Sequence, residues 1–386
     1  METINDDCWL EIINYLNLED QLALYKATKG FSNRVSSNVI YSWKHQLNFT
    51  LDEHAYEKFE EMPEMLDVFL SNINDTMQGL EFQWVTLKFL YRWKNYTFPN
   101  MKTLEYTVDD CDIDCDSEVI GIMTELFPGL HSLKSDGTFY CGALPKWTQL
   151  RKLDLSEWSP DYNTYRSDSP EEIAKCMLME ELLLPDGIWD FNLHHDLMTM
   201  PKLHTLTIEL KIDFILAEML EKRGKDVHTI VFNDCIWEFS IPTLQKLRNL
   251  RQLTLLDNDG FTSEELRELI VDLKQLEQID LVDFQIWSSE TELWQTVACC
   301  PSLKILNISG MQLYENFFEF GRSVMEKTLN NRSHDLTLHC HNTGENENLI
   351  RQYFKHPRLK LSFEPLKLYD VDTEMLQMHL NPLLPP

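Results

Sequence analysis

What this sequence of 386 residues lacks excludes several functions before any pattern is read. No apolar run approaches the eighteen or more residues that span a bilayer, so no membrane partner is expected. Positive charge is scarce: 34 Lys plus Arg stand against 63 Asp plus Glu, a formal charge of -29. Phosphate binding needs a basic footprint, so nucleic acid is not expected as a partner, whereas a basic protein surface would be tolerated or attracted. No Gly-rich turn follows a strand pattern, and no phosphate-binding loop, kinase motif set or Gly-x-Ser-x-Gly turn occurs. The nine cysteines are scattered, odd in number and without a Cys-x-x-Cys unit. With no secretory signal in the polar start METINDDCWLEII, the expectation is a reducing cytoplasmic or nuclear setting. Glycosylation-like triplets at Asn48, Asn74, Asn95, Asn307 and Asn331 then carry no weight.

What is present is a recurring spacing: apolar, two residues, apolar, one residue, apolar. It fits Met101/Leu104/Tyr106, Leu150/Leu153/Leu155, Met179/Leu182/Leu184 and Leu203/Leu206/Ile208. It continues at Val227/Ile230/Phe232, Leu250/Leu253/Leu255, Leu276/Ile279/Leu281 and Leu303/Leu306/Ile308. Weaker copies are Trp84/Leu87/Phe89, Leu130/Leu133/Ser135, Leu336/Leu338 and Leu361/Phe363. The last pair alternates like a strand and the first residue arrives from a turn. From Leu182 to Leu306 the middle positions are 24, 24, 23, 26 and 27 residues apart. Such steps accommodate one short strand and a returning helix or 3₁₀ segment, the leucine-rich-repeat class.

The returning segments are legible too. TSEELRELIVDLKQL offers Thr262 or Ser263 as a cap, Glu264 or Glu265 to complete it, and Leu266, Leu269 and Leu273 on one face. SSETELWQTVACCPSL repeats the scheme with a Ser cap, Leu293 and Val297, and Pro301 as the stop. FILAEMLEKRGKD ends at Lys222, Arg223 and Gly224. No fixed asparagine marks the turn: the third position after the last apolar residue holds Trp158, Cys235, Asn258, Phe284 or Met311.

Three constellations suggest chemistry and fall short of it. Asp112, Asp114 and Asp116 alternate like a calcium loop, yet the sixth and twelfth places hold Ser117 and Met123 rather than Gly and Glu. His334, His339, Cys340 and His341 lack a second paired cluster for zinc. His194-His195-Asp196 lacks a partnered nucleophile and reads as a loop; Cys299-Cys300 and Cys111/Cys115 read as incidental thiols. No catalytic residue, cofactor or metal is expected.

Ahead of the array, the first fifty residues read as three short helices. Trp9, Ile12, Ile13 and Leu16 form one stripe with Asn5 or Asp6 as cap, and Asn17 with Asp20 caps a second helix carrying Leu18, Leu22 and Tyr25. The third runs from about Asn33 to Trp43 with Val35, Val39, Ile40 and Trp43 inward. This stretch resembles an F-box, whose pattern is roughly Leu-Pro-x-Glu-Ile-Leu-x-x-Ile-Leu-x-Tyr-Leu, then Asp-Leu and later Val-Cys. Ile4 stands for its Leu, Asp7 for its Glu, and Cys8 with Trp9 for the next apolar pair. Ile12, Ile13, Tyr15, Leu16, Leu18, Asp20, Leu22 and Leu24 match. Asn5 replaces the Pro, Ala27-Thr28 replaces Val-Cys, and Phe31 stands where Trp is usual.

The whole chain is thus similar to F-box proteins with leucine-rich repeats, of the insect type. The resemblance implies an α/β protein with an N-terminal three-helix F-box over 1–45, a helical linker and cap over 46–80, a curved repeat solenoid of about 10–12 units over 81–370, and a tail over 371–386. It implies a non-catalytic substrate receptor of an SCF ubiquitin ligase, holding Skp1, and cullin-1 through it, by Ile4, Asp7, Trp9, Ile12, Ile13, Leu16, Leu18 and Leu22. The alternative is a repeat scaffold with a degenerate F-box, and an enzyme ranks third. Strand alternation puts the residues between the apolar ones on the concave face, acidic early at Glu105, Asp154 and Glu209 and apolar later at Val231, Leu256, Val282 and Ile305. The expected target sets a basic side against the first set and an apolar contact against the second.

Overall fold

The computed structural model describes residues 4–383 apart from 31, 109–115, 137–140, 158–169, 186–192, 259, 319–320 and 344–346. Asp112, Asp114, Cys111, Cys115, Phe31 and Trp158 therefore lie outside the described residues. The chain divides into two units, Met1–Phe191 and Asn192–Pro386.

The first unit starts with α1 (Asp6–Asn14), α2 (Leu18–Thr28) and α3 (Asn33–His45). Asn5 Oδ1 accepts from the Cys8 amide and Asn17 Oδ1 from the Asp20 amide, each at 2.8 Å, satisfying otherwise orphaned helix donors. Trp9, Ile13, Leu22, Val35, Val39 and Trp43 are buried between the helices. A polar hub sits among them. Gln21 donates to the carbonyls of Ile13 and Leu16, and Trp43 donates to Gln21 at 2.8 Å.

These helices share their core with the adjoining segment instead of forming a separate module. Residues 46–80, expected as a helical linker and cap, hold β1 (Asn48–Leu51), α4 (Glu53–Glu61) and α5 (Pro63–Ile73). Pro63 has no amide to continue the first helix and is suited to open the next, so the chain bends there. Met62, Met65, Phe69 and Ile73 are buried as their spacing requires. The Phe69 ring meets Trp43 edge-on at 5.3 Å and Phe49 at 5.2 Å, joining α3, α5 and β1.

Next come β2 (Gly79–Val85), α6 (Leu87–Trp93), β3 (Thr103–Val108), α7 (Asp116–Leu126), β4 (Ser132–Asp136), β5 (Lys152–Asp154) and β6 (Glu181–Leu184). Strands β1 to β6 pair in chain order, all parallel. The weak copy Trp84/Leu87/Phe89 is misplaced: Leu87 starts a helix, and Trp84 is exposed with φ of 58°. The true unit is Met77/Leu80/Phe82, all buried, 24 residues before the next.

The second unit contains α8 (Leu193–Leu197), β7 (Thr205–Glu209), α9 (Asp213–Arg223), β8 (Val227–Asn233), α10 (Ile241–Leu244), β9 (Gln252–Leu256) and α11 (Ser263–Ile270). It continues with β10 (Gln278–Val282), α12 (Glu290–Cys299), β11 (Ile305–Asn307), α13 (Arg322–Asn330), β12 (Leu336–His339), α14 (Glu347–Tyr353), β13 (Leu359–Ser362) and β14 (Met375–Leu380). Strands β8 to β13 run parallel in chain order. Each strand is too short to bury its own apolar side, so the stacked rows Ile230, Leu253, Ile279, Leu306, Leu338 and Phe232, Leu255, Leu281, Ile308 make the core jointly. The architecture is an alternating helix–strand repeat of the leucine-rich type.

Two features depart from expectation. The residues read as a tail form β14, antiparallel to both β7 and β8 and lying between them. Its alternation explains this, since Leu376, Met378 and Leu380 are buried while Gln377 and His379 face the other way. The turn residue is periodic one position earlier, two places after the last apolar residue. Asp234, Asp257 and Asp283 have φ of 52°, 48° and 52°, and Gly310 follows at 79°. Each amide donates to the next repeat, Asp257 to Val282 and Asp283 to Ser309, which extends the ladder past the strand ends. Asp tolerates this left-handed geometry better than most side chains. At 310 a Cβ would meet Asp283 Oδ1 at 1.9 Å, so only Gly fits.

Asp257 is exposed, so substitution there isolates the backbone effect. Asp257→Gly should leave the urea midpoint unchanged or slightly higher, and Asp257→Val should cost about 1–2 kcal/mol. A second test concerns Glu290, a buried carboxyl that accepts from Trp294 Nε1 at 3.1 Å and is pushed up by burial. The folded state prefers it protonated, so its contribution is complete below the unfolded carboxyl value of about 4.3 and is lost as pH rises through the raised folded value. Glu290→Gln should therefore gain stability relative to the parent as pH increases across that window, read from denaturation midpoints at acid and neutral pH.

Candidate functional site

Side chains between the apolar rows stand on the open face of each sheet, which is the candidate partner surface. In the first unit registry aligns Thr50, Glu81, Glu105, Lys134 and Asp154 in one row and Asn48, Gly79, Thr103, Ser132 and Lys152 in another. Together they border a shallow hollow of about 360 Å³. Gly79 leaves room in this floor for the Asn48 side chain, whose Oδ1 would lie 2.3 Å from a Cβ at 79.

The acidic character expected here is largely neutralised within the face. Glu105 pairs with Lys134 at 2.9 Å, and Lys152 pairs with Glu181 at 3.3 Å. The Lys134 ammonium is held above its ordinary pKa chiefly by the Glu105 hydrogen bond, against some loss to burial, with Asp154 and Glu157 adding attraction. Asp154 also accepts from the Ser156 amide and hydroxyl at 3.1 and 2.7 Å. In the second unit Glu209 pairs with Lys211 at 3.4 Å. None of the three carboxylates waits alone for a basic partner.

The apolar positions are also altered. Leu256, Val282 and Ile305 are half-buried, but Val231 is 0% exposed. The cover is the chain itself: Val371 and Met375 pack on Val231, with Tyr369 and Leu256 beside them. Asn233 Nδ2 donates to the Val371 carbonyl at 2.7 Å, and Tyr369 stacks obliquely on His379 at 4.6 Å. Next to this patch lies a polar row made by outward positions of β9 and β10. Asp280, buried on the same face, accepts from Gln252, Thr254 and Gln278 at 2.9–3.0 Å.

The residues assigned to Skp1 divide by position. Trp9, Ile13 and Leu22 are interior and hold the helices together, so their side chains are not available to a partner. Leu16 and Leu18 border a cleft of about 310 Å³ against β1. Ile4 is half-buried and Asp7 exposed, while Ile12 is 42% exposed. Tyr15, 87% exposed, adds an aromatic ring to this surface. Neighbouring Asp6 binds Arg34 at 2.7 Å and Asn38 at 2.8 Å, and these bonds hold its carboxyl below the usual range.

Among the described residues one cluster offers metal-type ligands, His194, His195 and Glu218. The two histidines are on α8, not in a loop, and their Nε2 atoms lie 2.8 and 3.3 Å from one Glu218 oxygen. The Glu218 carboxyl is held low first by the His194 bond, and Lys222 adds to the effect. Lys222 itself donates to the His195 carbonyl at 3.1 Å, and the cluster is a hydrogen-bonded clasp between α8 and α9. His339 is half-buried on β12, and His341 is exposed just beyond the strand, with Nδ1 3.2 Å from the Phe363 carbonyl. Burial pushes the Cys340 thiol up to about 12, far from thiolate chemistry at neutral pH.

The covering of Val231 has a direct test. Val231→Asp would bury an unpaired carboxylate under Val371 and should cost several kcal/mol in urea denaturation, whereas Val282→Asp, at the half-buried rim, should cost about 1 kcal/mol.

No family model matches this chain, and no curated protein matches it. Among solved structures it is similar to Rad7 in the crystal structure of the yeast Rad7 and Elc1 complex, with 14% identity over 93% of both chains and a TM-score of 0.40. It is also similar to the Leptospira interrogans LRR protein LIC12759, with 11% identity over 85% of this chain and 98% of that one, TM-score 0.36. A third likeness, to TLR13 in its complex with ssRNA13, has 16% identity over 80% of this chain and 35% of that one, TM-score 0.26. Likenesses of this degree carry no argument, and the repeat architecture rests on the registered strands themselves.

Proposed function

We propose that the chain is a non-catalytic protein-binding scaffold of the leucine-rich-repeat type. The observation that carries this reading is the registered open face of the first unit, where side chains from five successive parallel strands line one hollow. A shallow floor of mixed, mutually paired charges suits a protein surface better than a small substrate, which needs an enclosing and mostly apolar site. Charge on such a face serves encounter and selectivity more than affinity. A photo-cross-linker at Thr103, on this face, should capture a partner, and one at exposed Glu125 on α7 should not. Equal capture from both positions would remove the face from the mechanism.

A second, finer reading is favoured by the exposed Ile12 and Tyr15 beside the Leu16/Leu18 cleft. Apolar side chains left outward on a small helical layer suit a docking partner. On the F-box resemblance that partner is Skp1, with cullin-1 behind it, and the chain is the substrate receptor of a ubiquitin ligase. It would act by proximity, raising the effective concentration of target near activated ubiquitin. Co-purification of the full chain with Skp1 tests this reading. The intact protein should retain Skp1, and Ile12→Asp with Leu16→Asp should release it without loss of fold. Failure of the intact chain to retain Skp1 leaves the scaffold reading alone.

A further inference from the structure

The segment from Phe363 to Glu374 connects β13 to β14, and its path is unusual. Strands β12, β11, β10, β9 and β8 lie between its two ends, six inter-strand steps or about 29 Å. Twelve extended residues reach about 40 Å, so the segment can span this distance only in a largely extended form. It crosses over the open face, because Val371 sits on Val231 and Tyr369 lies beside Leu256 and His379. It forms no helix and no strand ladder.

Its hold differs sharply from that of the strand it precedes. β14 bonds to two neighbours and buries Leu376, Met378 and Leu380 completely. Phe363 at the start of the crossing segment is held by Arg351 over its ring and by His341 on its carbonyl, and Leu366 and Leu368 are half-buried. Beyond them the segment is fastened by the Val371 side chain, one carbonyl bond from Asn233, the Tyr369 ring, and an ion pair of Glu374 with Lys211 at its end. Glu364, Pro365, Lys367, Asp370, Asp372 and Thr373 are exposed. Few buried contacts and no ladder mean that it can open locally while β14 stays in place.

We propose that the open face of the second unit is a peptide-binding surface occupied by the chain's own segment 364–374. The partner it takes is an extended peptide with an aromatic residue, a β-branched residue two positions later, and an acidic residue behind them. Tyr369 and Val371 define the first two requirements; Glu374 on Lys211 defines the third. Val231 and Leu256 receive the apolar side chains, and Asn233 reads the backbone carbonyl between them and the anchor. An external segment must displace the internal one, whose tether gives it a high effective concentration, so the surface is closed to weak ligands. This rests on the scaffold reading of the repeat face but extends it to a second surface and a specific partner chemistry.

The test uses a fluorescent synthetic peptide of residues 364–374 and the full chain. Tyr369→Ser with Val371→Asp frees the surface, and unchanged protection of the β14 amides in hydrogen exchange verifies that the fold remains. The released variant should bind the peptide at least tenfold tighter than the intact chain. Adding Leu256→Asp, at a half-buried position, should abolish the gain. Equal affinity of the intact and released chains, no binding by the released variant, or binding unaffected by Leu256→Asp would each overturn the proposal. Neither Skp1 retention nor cross-linking at Thr103 enters this measurement, so its failure is separable from failure of those readings.

Discussion

Strands of three to seven residues cannot bury an apolar surface alone, and every other feature of this protein depends on how neighbours share that task. Each repeat contributes a few side chains to rows that run across the strands, and a fully buried Leu or Ile adds roughly 1.5–3 kcal/mol. The rows stay continuous only while successive strands keep registry. That constraint explains the left-handed residues at 234, 257, 283 and 310, where one tight turn per repeat lets the amide after the strand reach its neighbour. It explains the buried arginines as well. Arg223 donates to carbonyls of Met200, Leu203 and Asn381, and Arg332 donates to those of Val297, Cys300 and Leu303, each closing the backbone where one repeat passes to the next.

At the front of the first unit the same requirement is met by helices. An unshielded first strand would expose its inner face to water, and α3, α4 and α5 cover β1 through Trp43, Phe59 and Phe69. The residues that would serve a docking function and those that hold this shield are therefore drawn from the same stripe. Trp9 and Ile13 of α1 face inward, while Ile12 of the same helix and Tyr15 at its C-cap face outward. An amphipathic pattern predicts that a helix has two sides, but the sidedness of each residue is set by the groups that pack against it.

The second unit solves a different problem with β14. A strand placed between β7 and β8 and antiparallel to both interrupts the parallel order while giving hydrogen-bonded neighbours on both edges. Because its amino end sits at the carboxyl ends of its neighbours, the preceding segment must return across the sheet. Strand insertion thus sets the span of this segment, and Val371 and Tyr369 seat it on the face of Val231 and Leu256. The internal occupant and the candidate surface are parts of one arrangement.

How much was legible in the residues alone depends on the range of the interactions. The repeat class, the caps at Asn5, Asn17 and Thr262, the stop before Pro301 and the inward residues of eight repeat units were all readable, because each depends on neighbours within a few positions of the chain. The alternation Leu376/Met378/Leu380 and the aspartates two places after the last apolar residue are local signals too, of an added strand and of a left-handed turn. Other features had no local signal. Pairing of Glu105 with Lys134, of Tyr369 and Val371 with the face of β8 and β9, and of Gln21 with Trp43 joins residues 22 to more than 100 positions apart. Chain periodicity determined which side chains face the core. Only the tertiary structure decided which outward faces remain open, because that depends on where distant segments come to rest.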